Sequence, residues 1–288
     1  MLALGVYVTL STGQLTLGSA GFMGIGAYTT AVLTVNCHVP VPVGIVAGGL
    51  LAGVAGVATG FPALRLRGVY LAVATLGLGE MLRVVFIRWE VLTGGAVGFT
   101  GIPQMGRETL DMLNTYGLNP QGIGLKDNEF TAFSVFLILL LIAILTVWAI
   151  LRQSSSRVGR AFSAIECDES AAGAMGIDIH YYKVLAFGEG AFISGLAGAL
   201  YAHTASYISP ADFTYHRAVE VLAFAVLGGI ETAWGAVIGA AVLTVLPETL
   251  RFISSYRYVV YGIILVAAMV YRPQGLIDRA LLRRFTAK

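Results

Sequence analysis

Charge is what this sequence has least of. Only 12% of its 288 residues are Asp, Glu, Lys or Arg, where a soluble domain carries roughly twice that share. Three lysines exist, after Leu125, Tyr182 and Ala287, and none follows a glycine. A phosphate-cradling P-loop needs a Gly-Lys pair, so the chain cannot hydrolyse ATP by that route. The G-x-S-x-G elbow of a serine hydrolase is missing. His38, His180, His203 and His216 are scattered, and no His or Cys cluster has metal-ligand spacing. Neither a catalytic residue nor a metal site is therefore expected. A formal net charge of +2 is too small to suggest nucleic acid as a partner. The N-terminus lacks a basic n-region and a clear cleavage site, so no cleavable signal peptide is expected.

Apolar residues fill the space that charge leaves. They make up 57% of the chain, and the mean hydropathy is +0.80. Phe130 to Leu151, FTAFSVFLILLLIAILTVWAIL, contains no charge and exceeds the roughly 20 residues that a spanning helix needs. Nine hydrophobic passes can be marked, near residues 1–10, 20–36, 41–61, 68–89, 130–151, 183–207, 217–229, 234–247 and 258–271. The 36 glycines fit a bundle, because small residues let helices approach closely. Gly44-Gly48, Gly49-Gly53 and Gly195-Ala199 have the small-xxx-small spacing of such contacts. The pattern predicts one all-α, polytopic membrane domain over residues 1–288.

Arginine orients it, since cytoplasmic loops collect Lys and Arg. The clusters are Arg65 and Arg67; Arg152, Arg157 and Arg160; and Arg272, Arg279, Arg283, Arg284 and Lys288. All three share one side if the short segments 217–229 and 234–247 form a down-and-up pair. The connection 152–182 and the tail 272–288 are then cytoplasmic, and the Gly-, Asn- and Pro-rich loop 93–129 is external. Cys37 and Cys167 fall on opposite sides, so no disulfide is expected between them.

Two places break the helical pattern, STGQLTLGS (Ser11 to Ser19) and LGGIETAWG (Leu227 to Gly235). Non-helical backbone at membrane depth is tolerated where it is buried in protein or lines a cavity. Gly-interrupted segments in corresponding places of two halves point to a transport path. The spacing of Gly13, Gly18 and Gly24 against Gly229, Gly235 and Gly239 is compatible with an internal repeat. Gly13, Gln14, Thr16, Ser19, Gly228, Gly229 and Thr232 are therefore candidates for the path. Glu80 and Glu189 join them, because ionisable groups inside a membrane are costly. Glu80 has Arg83 one turn away, which leaves a local ion pair as the plainer role. Glu189 has no basic residue within a helical turn on its C-terminal side, and Lys183 is too far along the helix for an i,i+4 contact. The plainer roles for it are a helix-interface contact with a backbone group or an Arg of another helix, or a place close enough to the cytoplasm to snorkel.

The segment RVGRAFSAIECDESAAGAMGI, Arg157 to Ile177, is different in kind. Helical spacing over Gly159 to Met175 places Phe162, Ile165, Ala172 and Met175 on one apolar stripe, beside Glu166, Asp168 and Glu169, with Gly176 placed to end the helix. Surface helices that bind lipid favour a Lys/Arg-rich polar face, and this one is acidic in its middle. A protein partner fits its stripe better.

These residues carry a resemblance. ESAAGAMG resembles the EAA loop of ABC-transporter permeases, which docks in a groove of a separate ATPase subunit. TGQLTLGSAGFMGIGAY, LRLRGVYLAVATLGLGEMLRVV, TGGAVGFTGIP, VLGGIETAWGAVIGA and YRPQGL, in this order from about Ser11 to Leu276, are similar to the branched-chain amino-acid permeases of the LivM type. The resemblance implies a bacterial inner-membrane importer for branched-chain or similar amino acids. Its partners would be two ATPase subunits that hold ATP and Mg, a second, LivH-like permease chain and an external binding protein. Phe162, Ile165, Glu166, Glu169, Ala172, Met175 and Gly176 would form the ATPase-coupling surface. Ser19 stands where many relatives have His, Glu231 where Gly is usual, Ala236 where Pro is usual, and Glu189 at a normally apolar position. Ala96-Val97 replaces a common polar pair, and the start looks short by one membrane helix. Those departures keep urea, short amides and other small acids open as cargo, and a stand-alone channel or secondary transporter is the alternative from another class.

Overall fold

The computed structural model describes residues 1–63, 66, 68–106, 127–229, 232–249, 262 and 266. Apolar runs become helices and polar punctuation ends them. Along the chain lie α1 (Leu2–Leu10), α2 (Ser19–Asn36), α3 (Val41–Ala63), α4 (Val69–Arg88), the short α5 (Glu90–Thr93), α6 (Asp127–Ser154), α7 (Arg157–Cys167), α8 (Glu169–Ala174), α9 (Ile179–Ala205), α10 (Tyr215–Gly228) and α11 (Ala233–Thr249). Eight of the nine expected passes coincide with a helix; the ninth, 258–271, lies outside the described residues, as do the basic tail 272–288, Arg65 and Arg67. The fold is an all-α polytopic bundle. Among the described residues, α3, α4, α6 and α9 are long and apolar enough to cross a membrane, and the bent pair α10–α11 makes a fifth span if taken together.

Burial separates lipid-type surface from interior. α6 exposes Phe133, Phe136, Leu141, Ile144 and Trp148 along its length, an arrangement stable only against apolar surroundings. α9 is the reverse. Gly188, Gly190, Ala191, Ser194, Gly195, Gly198 and Ala199 are all buried on it, against α1, α2 and α3. Small residues make that closeness possible. A Cβ at Gly198 would lie 1.9 Å from the carbonyl oxygen of Met23, and one at Gly26 would lie 2.0 Å from that of Gly195. On α3, Gly48 faces the Gly26 carbonyl and Gly53 faces Phe192, so the small-residue stripes read in the sequence are the surfaces that touch. Cys37 and Cys167 are both exposed free thiols.

At the far end of α9 the loop after α4 is tied down. Phe99–Thr100 pairs antiparallel with Tyr207–Ile208. His203, fully buried, has Nδ1 2.8 Å from the Pro103 carbonyl oxygen and Nε2 3.0 Å from Thr30 Oγ1. A carbonyl only accepts, so Nδ1 carries the proton and Nε2 accepts from the Thr30 hydroxyl in the neutral ring.

The glycine contacts lead to a sharp expectation. Gly198→Ala should lower the thermal midpoint of the detergent-solubilised protein strongly, because overpacking a fitted core costs roughly 1–3 kcal/mol and here the obstacle is backbone. Gly77→Ala on α4, with no atom of the described residues within 4 Å of its Cβ position, should leave the midpoint unchanged. Equal midpoints for the two variants would contradict this account of the core.

Candidate functional site

The first break begins where α1 stops at Leu10. Gly13 takes a left-handed φ of +73°, which turns the chain and lets Ser19 start α2. The extended backbone between them is held by side chains rather than by a ladder. Thr75 Oγ1 on α4 accepts the Leu17 N–H at 2.9 Å, Thr12 Oγ1 donates to the Thr9 carbonyl, and the Thr9 and Thr16 hydroxyls meet at 3.1 Å. Gln14 is 1% exposed; its Nε2 donates to Thr12 Oγ1 and to the Lys183 carbonyl on α9. Thr16 and Ser19 line a small cavity of only about 10 Å³ with Thr9 and Ser194, and among the described residues the Ser19 hydroxyl has no hydrogen-bond partner. That is space for about one water.

A second positive-φ glycine makes the other break. Gly229, at φ +114°, ends α10, and Thr232 opens α11 by accepting the Gly235 N–H at 3.1 Å. A Cβ at Gly228 would sit 1.9 Å from the Gly235 carbonyl oxygen, so the two helix ends pack backbone to backbone. Glu231 lies outside the described residues.

A cavity of about 510 Å³ brings parts of both breaks to one place. Ser11 and Thr232 line it from the two interrupted segments, Gln153 from the end of α6, Arg160 and Glu166 from α7, and Trp234 from α11. Of the expected path residues, only Thr232 reaches this space. Gln14, Thr16 and Ser19 are buried away from its lining, and Gly13 is exposed, with Glu166 Cα 3.9 Å from where a Cβ would stand.

The acidic segment is two helices, where the spacing predicted one from Gly159 to Met175. The chain breaks at Asp168, which is extended at φ −158° and accepts the N–H groups of Ser170 and Ala171 on its carboxylate. Ser156 caps α7 in the same manner. A short oxygen-bearing side chain competes with the helix backbone and wins at an N-cap. Breaking there divides the expected stripe. Phe162, Ile165 and Ala172 are buried in the protein's own core, with Phe162 edge-on to Tyr182 at 6.3 Å, while Met175 is 84% exposed. The placing of Phe162 and Ile165 in a partner's groove is thus corrected: they anchor α7 to this chain. Around Met175, the exposed residues Ala171, Gly173, Ala174 and Gly176 leave a low, open surface, and Gly176 ends it at φ +84°. Glu169 pairs with Lys183 of α9, and Glu166 faces the cavity.

The two intramembrane acids have partners. Glu80 binds Arg83 at 2.7 Å and accepts the Tyr215 N–H at 3.0 Å, which ties α4 to the start of α10. Glu189 accepts from Gln153 Nε2 at 2.6 Å and joins α9 to α6. Sequence spacing missed Thr9, Ser11, Thr75, Gln153, Arg160 and Ser194. All but Arg160 are uncharged polar residues in or beside apolar segments, where a hydroxyl most often bonds its own helix. The excess of such residues around the first break was the available signal.

A family model described as "Branched-chain amino acid transport system / permease component" matches residues 1–269. The LivM permease protein of the high-affinity branched-chain amino acid transport system of Escherichia coli K12 is 36% identical over 282 residues, 96% of this chain and 66% of its own length. The Salmonella typhimurium LT2 protein of that name is 35% identical over 96% and 66%. The LsrC permease protein of the autoinducer 2 import system of an Enterobacter strain is 25% identical over 98% and 77%. No solved structure matches the chain significantly. The chain spans about 66% of the length of the two LivM relatives. It belongs to the branched-chain amino acid transport system permease family.

Proposed function

We propose that this chain is the membrane permease subunit of an ABC importer that moves branched-chain or similar amino acids into a bacterial cell. The family and the two LivM relatives support the class of cargo. A relative named for autoinducer 2 shows that related permeases serve other solutes, and selection among them falls to the external binding protein. ATP and Mg belong to two separate ATPase subunits, and a second, LivH-like permease chain completes the path. The loop 93–129 is external, and the connection 152–182 and the tail 272–288 are cytoplasmic.

One observation carries the reading: the 510 Å³ cavity is walled jointly by both interrupted segments and by α7. A shift of the α7–α8 pair therefore alters the same space that Ser11 and Thr232 border. Gln14, Thr16, Ser19, Gly228 and Gly229 form the packed inner wall, which separates when access alternates, and Gly13 is the exposed turn that leads into it. Glu80 and Glu189 serve as helix ties. The deciding experiment is reconstitution with candidate ATPases, permease partner and binding protein, followed by a screen of solutes that stimulate ATP hydrolysis. Leucine, isoleucine or valine should stimulate. Solute flux through this chain alone would overturn the reading in favour of a channel or secondary transporter.

Accessibility gives a second check. Thr232→Cys, at the cavity wall, should react with a small polar thiol reagent in the resting complex, and Thr16→Cys should react only when nucleotide drives the cycle. Equal inertness of both in every nucleotide state would remove the breaks from the path.

The coupling surface is tested by two aspartates. Met175→Asp should leave the chain inserted and stable while ATPase binding is lost, since burying one large side chain against a partner is worth about 1.5–3 kcal/mol. Phe162→Asp should instead deplete the chain from the membrane, because losing a buried Phe costs about 3–5 kcal/mol before any charge is desolvated. A Met175→Asp complex with normal ATPase binding and uptake would make the α7–α8 pair a mere connector.

A further inference from the structure

One line of polar contacts runs from the acidic segment to the first break, and its inner member, Gln14, has no role beyond wall packing so far. Glu169, the first residue of α8, pairs with the Lys183 ammonium near the start of α9. The carbonyl of that same Lys183 accepts from Gln14 Nε2 at 3.1 Å, and the nitrogen also donates to Thr12 Oγ1 at 2.9 Å. Which way the carboxamide points follows from chemistry. A backbone carbonyl can only accept, so the nitrogen must face Lys183. Among the described residues Oε1 then has no hydrogen-bond partner, on a side chain 1% exposed.

Three features make this more than a packing detail. Orphaned buried acceptors are costly and call for an explanation, of which a partner gained in another conformation is one. The break also approaches the acidic segment at Gly13, where a side chain's Cβ would stand 3.9 Å from Glu166 Cα. And the backbone that Gln14 adjoins is non-helical, turned by the positive φ of Gly13, so a tug there meets little helical resistance.

We infer that Gln14 is a positioning residue that passes displacement of α8 to the first interrupted segment, through Glu169, Lys183 and the Lys183 carbonyl. When α8 moves, the Gln14 carboxamide exchanges hydrogen bonds, and Oε1 gains a donor as the segment leaves its packed position. This rests on the reading of the chain as a permease driven by a separate ATPase.

The test uses the whole complex in proteoliposomes, with uptake and ATP hydrolysis measured on one preparation. If the unmodified complex shows no solute-stimulated hydrolysis, the permease reading itself fails, and the variants do not enter. Where it does show it, Gln14→Leu and Lys183→Met should lower uptake per ATP hydrolysed by about tenfold, within the usual range for coupling between sites. Lys183→Met is the safer of the two, because it keeps the carbonyl and removes only the charge. The exchange Glu169→Lys/Lys183→Glu should recover most of that ratio. Should Gln14→Leu fail to assemble, Lys183→Met and the exchange decide by themselves. An unchanged ratio in Lys183→Met, including a parallel loss of both activities, overturns the inference, because that is what a merely structural contact gives. A ratio lost in Lys183→Met and not recovered by the exchange overturns it as well.

Discussion

Helices surrounded by apolar side chains gain nothing by burying more apolar surface against each other, so close backbone contact has to hold them. The rest of this structure hangs on that contact between α9 and its neighbours α2 and α3. Gly26, Gly48, Gly195 and Gly198 bring carbonyl oxygens to within reach of opposing backbones, closer than any side chain would permit. Dispersion is short-ranged, and its sum grows with the number of atoms that fit. The glycines thus supply attraction as well as room. They also leave the polar residues of the interior in places set by backbone geometry rather than by rotamer choice.

A tight frame of this kind makes two interrupted helices tolerable. Each break frees backbone groups that lipid could not satisfy, and each is repaired from within. Thr75 reaches across from α4 to Leu17, and Thr232 takes the Gly235 N–H. Hydroxyls suit this duty because each can donate to one carbonyl and still accept from elsewhere. Repair by hydroxyl is also weak per bond. The broken segments therefore rest at the soft end of a stiff bundle, next to the cavity that the proposed cycle must open and close.

Most of the fold could be read from the sequence, because apolar runs and small-residue stripes are local patterns. The limits of α3 and α9 follow from where those runs end, and the helix–helix faces follow from Gly44, Gly48, Gly195 and Ala199. The candidate site was legible only in outline. Ser11 to Ser19 and Leu227 to Gly235 announce themselves by composition, yet nothing within either stretch says that Ser11 and Thr232 border one cavity while Thr16 and Ser19 are buried away from its lining. The pairings of Glu189 with Gln153 and Glu169 with Lys183 join separate segments, and periodicity within a segment carries no information about them. The break at Asp168 is another matter. An aspartate ahead of Glu-Ser-Ala is a helix-starting signal in its own right, and the regular spacing of Phe162, Ile165, Ala172 and Met175 concealed it.

That break changes how the acidic segment can work. A single rigid helix would present its apolar stripe either to this chain or to a partner, and could not serve both with equal strength. Divided at Asp168, the segment keeps one part buried on this chain and leaves the other exposed. α7 is fastened by Phe162 to the core that also contains α1 and α11 residues, with Ile165 buried one turn further on, while the short α8 holds out Met175 beyond a surface of alanine and glycine. The joint at Asp168 carries its own caps, so either helix can tilt without exposing unpaired N–H groups. Because Lys183 fixes α8 to the first turns of α9 by an ion pair, such a tilt acts near the end of α9, the most buried of the described membrane-length helices. In the proposed relay, force delivered there reaches the non-helical segment at Gln14 through the Lys183 carbonyl.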